Sequence, residues 1–586
     1  MAEGTTPRSA KPTPEEIAAC ADLLEALAED RGLLADVPEA TRRRFLMAAG
    51  RVSRPERNEQ RDLRKALGRR DRQEQRAADD AARRTTVIRS IRELAVYPTP
   101  ALRPPPVEAA QLAPKPSNGA ESAAAAHPAS AADPAPAPGA PASERTASSP
   151  PEIGPDLRSP RKCYVCKSTY RTLHFFYDQL CPTCGDENHT KRLQTANLQG
   201  RVAIVTGARV KIGYQAAMKL LRAGARVIVT TRFPHDAARR YAEEVDHADW
   251  SDRLHIYGLD LRHTPSVERF AAHLTAHLDR LDFILHNACQ TVRRPPGYYA
   301  HLMAREEGPI AALPAAACQF LHDYDVLRQR GEAPSLQENK APQGDEGAQE
   351  NKQKGPQGGP SSRWIEAGSL AVAAAEGAFG AADIGLRAPA LLSQIAAVAG
   401  DTVAGDTVFP EGRLDADQQQ IDLRALNSWR LTLAEVPTVE LFEVMLVNAI
   451  APFVLSARLK QLMTRQVTGD KHIVNVSAME GQFYRPHKTD KHPHTNMAKA
   501  ALNMLTRTSA PDYLRAGIHM NSVDTGWVTD EDPADVAARK VEEHGFHPPL
   551  DITDGAARIC DPIFAGLATG NHPAGLFFKD YHPTDW

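Results

Sequence analysis

Residues 200–233, GRVAIVTGARVKIGYQAAMKLLRAGARVIVTTRF, constrain the fold more than any other part of the chain. VAIVT is an apolar run of strand length, AMKLLRAGA closes a helix with Gly224, and RVIVTTR is a second apolar run. Strand, helix and strand make a βαβ unit, the building block of a parallel sheet. The turn after the first strand holds Gly207 and Gly213. Such a turn lets backbone N–H groups and a helix N-terminus meet a pyrophosphate. The expected class is α/β, a Rossmann-type doubly wound parallel sheet.

Later segments follow in an order that fits one family. Thr206 to Gly213 read T-G-x-x-x-x-I-G, GLDLRHTPSVERF carries Asp260 and Leu261, and LDFILHNAC carries Asn287 and Ala288. VNAIAPFVL holds Asn448, IVNVSAM holds Ser477, MAKAALNMLTR holds Lys499, and MNSVDTGWVT holds Gly526 and Thr529. Over about 200–296 and 430–586 the chain resembles the short-chain dehydrogenase/reductase family. The resemblance implies a nicotinamide dinucleotide cofactor, hydride transfer to or from a carbonyl or alcohol, and a homo-oligomer. It sets Thr206, Gly207, Ile212 and Gly213 at the cofactor loop, Asp260 and Leu261 beside the adenine, and Gly526 and Thr529 at the nicotinamide. Lys499 would bind the nicotinamide ribose, Asn448 would support Lys499 through a water, and Ser477 would bond the substrate oxygen where charge develops.

The cofactor preference has a physical basis. The second strand of the unit ends in Thr230, Thr231 and Arg232, with nothing acidic to hold ribose hydroxyls. A guanidinium fork suits a 2′-phosphate, and Arg209 in the loop adds a second positive charge. NADP(H) is therefore favoured over NAD; otherwise Arg232 is a surface arginine beside the acidic residues 243–246.

Three departures from the family pattern stand out. Lys211 replaces the loop's middle glycine, so its side chain either turns outward or reaches for phosphate. The fourth strand ends His286-Asn287-Ala288-Cys289, and the later Pro-Gly turn reads Thr525-Gly526. Four residues before Lys499, where the family has its tyrosine acid, stands Thr495. An aliphatic hydroxyl is a far weaker acid than a phenol of pKa about 10. Tyr484 and Lys488 share the same spacing, but Pro486 and Pro493 bar a helix there. Tyr484 is either a substitute proton donor or a substrate-loop aromatic. His487, Asp490, His492 and His494 crowd the same loop. A histidine could donate a proton near neutral pH, and a metal site is a weaker alternative.

CYVCKSTYRTLHFFYDQLCPTCG sets Cys163 and Cys166, then Cys181 and Cys184, as two C-x-x-C pairs. Four thiolates would fill a tetrahedral shell, which implies structural zinc over 161–192, a span too short for an unaided core. The other cysteines, Cys20, Cys289, Cys318 and Cys560, are scattered.

The 586 residues exceed one ordinary domain. A helix is expected over 13–30, opened by a Thr13–Glu16 capping box, within a charged helical region 1–97. Residues 51–93 carry 14 Lys or Arg against 8 Asp or Glu. With acids interspersed and no interleaved aromatics, they read as a solvated helical hairpin or a partner-binding helix rather than a nucleic-acid arm. Pro/Ala-rich residues 98–160 read as a disordered linker, and 331–362 read likewise. Residues 198–296 and 431–586 form two Rossmann halves, and 297–430 are an insertion expected to cover the active site. Within the insertion, YDVLRQR and the Ala-rich stretch 369–400 read as helices. A net charge of -3 favours neither nucleic acid nor membrane. The absence of an apolar leader and of long apolar runs points to the cytoplasm. The chief rival function is an NADP(H)-binding regulator or adaptor that engages a protein partner through the zinc module and the N-terminal helices.

Overall fold

The computed structural model describes residues 11–100, 153–329, 383–402, 407–485 and 488–586. The chain divides into two compact units, Met1–Asp79 and Asp80–Trp586. In the first, the expected helix runs Pro14–Glu29. Its capping box is formed: Glu16 N–H donates to Thr13 Oγ1 at 3.2 Å, and Thr13 N–H donates to Glu16 Oε2 at 2.8 Å. A second helix, Glu39–Ser53, follows.

The larger unit begins with an antiparallel hairpin, β1 (Ile153–Lys162) and β2 (Thr169–His174). An eight-stranded sheet follows, made of β3 (Val202–Thr206), β4 (Arg226–Thr231), β5 (Leu254–Gly258) and β6 (Phe283–His286), then β7 (Lys471–Ser477), β8 (Ile518–Asp524), β9 (Phe577–Lys579) and β10 (His582–Thr584). Its order is β10-β9-β8-β7-β6-β3-β4-β5, parallel throughout except for β10. From β3 the chain winds outward through β4 and β5, then crosses back to β6 on the other side. That reversal leaves a crevice at the carboxyl ends of β3 and β6, where ligands bind in such sheets.

Helices cover both faces, so every residue of β3, β7 and β8 is buried and the strands read as near-continuous apolar runs. The helix Lys211–Arg222 packs against Ile552–Thr569 on one face, and Thr264–His277 against Ala451–Met463 on the other. The segment Thr438–Met463 is long and apolar enough to cross a membrane by length and composition, but half of its most apolar window is buried within this protein. It contains a π turn, Leu446–Ile450, just ahead of Pro452. Proline lacks an N–H and its ring crowds the carbonyl of residue 448, so the helix widens there.

Several boundaries differ from the sequence-based expectation. The linker drawn as 98–160 is too long at its far end, because β1 starts at Ile153 and pairs with β2. Residues 101–152, like 331–362, lie outside the described residues. The N-terminal region drawn as 1–97 is split, since residues 80–97 belong to the larger unit. There Ile88 is fully buried, Arg89 Nε donates to Asp178 at 2.5 Å, and Arg92 donates to the Leu550 carbonyl at 3.1 Å. YDVLRQR falls in the helix His322–Gln329. The described part of the Ala-rich stretch holds only the short turns Ile384–Arg387, Leu391–Gln394 and Ala399–Thr402.

Candidate active site

A cleft of about 370 Å³ opens at the β3/β6 switch point. Thr206, the last residue of β3, accepts the Ala288 N–H on its Oγ1 at 3.1 Å. Asn287, just past β6, donates from Nδ2 to the carbonyls of Thr206 at 3.0 Å and Gly207 at 3.1 Å. The loop is thereby tied to the neighbouring strand. Gly207 has φ +66, and a Cβ there would stand 2.8 Å from the Ala288 Cα. A Cβ on Gly213 would collide with the Asn287 amide and the Gly207 carbonyl. Both glycines therefore serve close backbone approach.

Lys211 holds φ +57, in the left-handed region, which is why a glycine suits this position and a lysine is strained. Burial pushes its ammonium pKa down, but the carboxylates of Glu531, Asp417 and Asp415 outweigh that and hold it above the ordinary value. Burial in turn raises Asp417 to about 6 despite the pull of Lys211. Ile212 packs into the apolar core and touches the region of Gly555.

Three arginines beside the ends of β3, β4 and β5 differ in how their charge is met. Arg209 donates to Asp236 at 2.7 Å, and Asp236 is also bonded by Arg240 and Arg305. The second positive charge expected from Arg209 is thus matched within the protein. Arg262 forks onto Asp260 at 2.6–3.1 Å and reaches Glu443 at 2.8 Å. Burial pushes the Asp260 carboxyl up, and Arg262 outweighs it, leaving it below the ordinary value. Arg232 makes no ion pair among the described residues. Its guanidinium lies over Tyr299 at 4.9 Å and Phe233 at 5.6 Å and donates to the Tyr299 hydroxyl at 2.8 Å. Leu261 and Thr529 also line the cleft.

Sequence reasoning missed several lining residues. Arg262, Arg294, Tyr298, Tyr299 and Glu531 all border the cleft. Arg262 could have been found two residues beyond Asp260. Tyr298 and Tyr299 come from the insertion helix Pro296–Glu306, which no local pattern marks.

Asn448, Ser477, Thr495 and Lys499 are all at most 5% exposed. None of the four lines the cleft. The Asn448 amide bonds the Gln290 main chain twice, at 2.8 Å to N–H and 3.1 Å to the carbonyl, so the π turn presents it to the β6 exit. Lys499 donates to the Val476 carbonyl at 2.7 Å rather than reaching open space. Ser477 Oγ and Thr495 Oγ1 are buried with no hydrogen-bond partner. Gly481 permits this packing, because a Cβ there would stand 2.7 Å from the Lys499 carbonyl carbon. Gly526, with φ +74, donates to Asp524 at 3.2 Å. Burial, with Glu480 nearby, raises the Asp524 carboxyl to about 6.

Tyr484 does not join this group. It is 91% exposed, on a loop standing in solvent, which corrects its candidacy as a donor poised beside Ser477. His487 lies outside the described residues. His492 stacks on Trp429 at 3.8 Å and donates its N–H to the Leu431 carbonyl at 2.8 Å, pinning the end of the insertion onto the helix Pro493–Leu514. His494 Nε2 lies 3.4 Å from Glu440 Oε1. The loop histidines and Asp490 do not gather as metal ligands; among the described residues only the four cysteines do.

Two family models match the two halves of the sheet: short chain dehydrogenase over residues 201–300, and Enoyl-(Acyl carrier protein) reductase over 427–546. The chain belongs to the short-chain dehydrogenase/reductase family. Membership makes the chain one of a family of oxidoreductases. An uncharacterised protein of Acanthamoeba polyphaga mimivirus is 29% identical over 423 residues, 69% of this short-chain dehydrogenase/reductase and 71% of the viral chain. Dehydrogenase/reductase SDR family member 13 of Bos taurus is 35% identical over 17% of this chain and 27% of its own. Retinol dehydrogenase 11 of Mus musculus is 32% identical over 18% and 36%. The match thus spans about a third or less of those two dehydrogenases. Among solved structures, a dehydrogenase/reductase of Sinorhizobium meliloti is 16% identical with TM-score 0.35, covering 67% of this chain and 96% of its own.

The four cysteine sulfurs lie within 4.8 Å of one another, with Cys166 Sγ and Cys181 Sγ 3.7 Å apart. Thiolates about 2.3 Å from a tetrahedral zinc stand about 3.8 Å from each other, so this donor set fits such an ion. The Cys181 N–H also donates to Cys163 Sγ at 3.3 Å.

Proposed function

We propose that the chain is a cytoplasmic NADP(H)-dependent oxidoreductase that moves hydride between the nicotinamide and the carbon of a carbonyl or alcohol substrate. Arg232 carries the preference for NADP(H). It follows β4 at the cleft, is held by two aromatic rings, and makes no ion pair within 4 Å among the described residues, its nearest electrostatic partner being Asp260, which Arg262 already holds. Its fork suits a 2′-phosphate. Ser477, buried with an unpartnered hydroxyl, would bond the substrate oxygen, and Lys499 would hold the ribose. With a threonine one turn before Lys499 and Tyr484 in solvent, proton delivery falls to water or to His494. Cys163, Cys166, Cys181 and Cys184 would hold a structural zinc, whose closed shell cross-links the module and leaves no position for substrate.

The buried Lys499 tie to Val476 and the threonine in place of a phenol one turn before Lys499 favour a second reading, an NADP(H)-binding regulator with little or no turnover. NADPH consumption against a panel of carbonyl compounds separates the two. The enzyme reading expects turnover that Lys499→Ala and Ser477→Ala abolish and Tyr484→Phe retains. Tight cofactor binding without turnover of any compound would overturn it in favour of the regulator.

Self-association is supported by an exposed apolar face. Phe442 and Phe453 stand exposed on Thr438–Met463, on either side of its π turn, and Met497 and Met504 stand on one side of the adjoining helix Pro493–Leu514. All four are more than half exposed.

A further inference from the structure

The cysteine module is packed into the oxidoreductase rather than appended to it. Its core residues Leu157, Leu173, Tyr177 and Leu180 share one apolar cluster with Val528, Leu550 and Ile552 of the sheet domain. Ile212, from the phosphate-binding turn, packs against the same cluster. Tyr177 donates to Asp554 at 2.6 Å, and Arg192, on the module's helix, reaches both Asp551 and Asp554. These contacts converge on the segment that follows β8.

That segment, Gly526 to Thr529, has the module on one side and the cleft on the other. Tyr164 sits between two of the cysteines, in the knuckle Cys163–Cys166. Its hydroxyl accepts the Trp527 N–H at 3.0 Å, and its own N–H is fixed on the Gln179 carbonyl at 2.9 Å. The Trp527 carbonyl takes the Leu550 N–H at 3.3 Å, and Val528 is buried in the module's core. A Cβ on Gly526 would meet Leu550 and would stand 3.4 Å from the Tyr164 hydroxyl, so Gly526 is threaded through this contact. One residue past Val528, Thr529 lines the cleft and donates to Glu531 at 2.7 Å. The adenine-end residues Arg232, Asp260 and Arg262 take no part in these bonds.

We infer that Tyr164 is a positioning residue for the nicotinamide half of the cofactor, through which the four-cysteine module sets the height of the Gly526–Thr529 wall. The inference rests on the NADP(H) reading above and adds to it a division of labour: the sheet's own loops hold the adenine half, and the module holds the wall of the other half. A metal-bound knuckle is rigid, so a loop bonded to it is pre-organised before the cofactor arrives.

Tyr164→Phe tests this, because it removes one hydroxyl and keeps the ring in the module's core. The full chain, with its metal content measured, is titrated calorimetrically with NADPH and with 2′-phospho-ADP-ribose, which lacks the nicotinamide. A single net hydrogen bond corresponds to about a three- to tenfold change in affinity. The expected result is that Tyr164→Phe weakens NADPH by about that factor, leaves 2′-phospho-ADP-ribose within twofold, and keeps the metal content of the wild type. If both ligands weaken equally, or if neither changes, the inference is wrong while the NADP(H) reading stands. If the wild-type protein binds neither ligand, the NADP(H) reading fails and takes the inference with it.

Discussion

Replacing Arg232 by glutamine should convert the cofactor preference without unfolding the protein. Each of the three arginines near the adenine end could in principle meet a 2′-phosphate, but their surroundings differ. Arg209 is bonded to Asp236, and Arg262 to Asp260 and Glu443, so a phosphate would have to compete with carboxylates already in place. Among the described residues, Arg232 has the neutral Tyr299 hydroxyl and two ring faces as its contacts and no ion pair within 4 Å. Asp260 feels its charge but is bonded by Arg262, so the Arg232 fork is more available to a phosphate than the other two. A hydrogen bond to a charged group contributes about 1.5–3 kcal/mol net, which at about 1.4 kcal/mol per tenfold is about a 10- to 150-fold change in affinity. Arg232→Gln should weaken NADPH by that factor and leave NADH nearly unchanged, in fluorescence titrations at fixed ionic strength. The companion Arg209→Gln should alter the ratio of the two affinities far less. Equal losses for NADPH and NADH in Arg232→Gln, or no loss at all, would refute the assignment.

Freshly purified protein should contain about one zinc per chain by metal analysis, and strong chelation should lower its melting temperature, because the module's small core depends on the cross-link; metal-free protein of unchanged stability would speak against four-thiolate binding. His286, buried at the end of β6 with Nε2 2.9 Å from Ser456 Oγ, has its pKa lowered by burial to about 3. A folded-state value below the unfolded one means that the unfolded chain binds the proton first. Stability from this group is full above about pH 6.5 and falls by up to about 1.4 kcal/mol per pH unit toward pH 3. His286→Asn should remove that share of the slope in denaturant titrations from pH 7 to 4. Phe453→Glu should shift the assembly toward monomer in light scattering while leaving the melting temperature within a few degrees, since Phe453 is 58% exposed.

The parts legible in the sequence are those whose determinants lie close together along the chain. The run VAIVT, the turn glycines and RVIVTT gave β3, the loop and β4 in register, because a buried parallel strand and a tight turn each leave a local pattern. Lys211 was visible as an intruder in that pattern, and its positive φ is the physical reason. The cysteine spacing likewise foretold a cluster. What escaped notice depends on residues far apart: Tyr299 under Arg232, the bond between Tyr164 and Trp527 across 363 positions, and Arg293 joining Asp401 and Glu443. Periodicity reports which face of an element is apolar and says nothing about which distant element will cover it. Tyr484 misled for a related reason: closeness to Ser477 in sequence did not turn the loop inward.

The placement of the insertion bears on how the chain matures. Strand β6 pairs with β3 on one side and with β7 on the other, yet roughly 180 residues separate its end from the start of β7. During synthesis at about 5–20 residues per second, the emerging first half must wait for about 10–40 s with an unpaired strand edge before its central neighbour arrives. Nascent chains of this protein are therefore natural clients for edge-shielding chaperones, and ribosome pausing inside the insertion should raise aggregation more than pausing after β7.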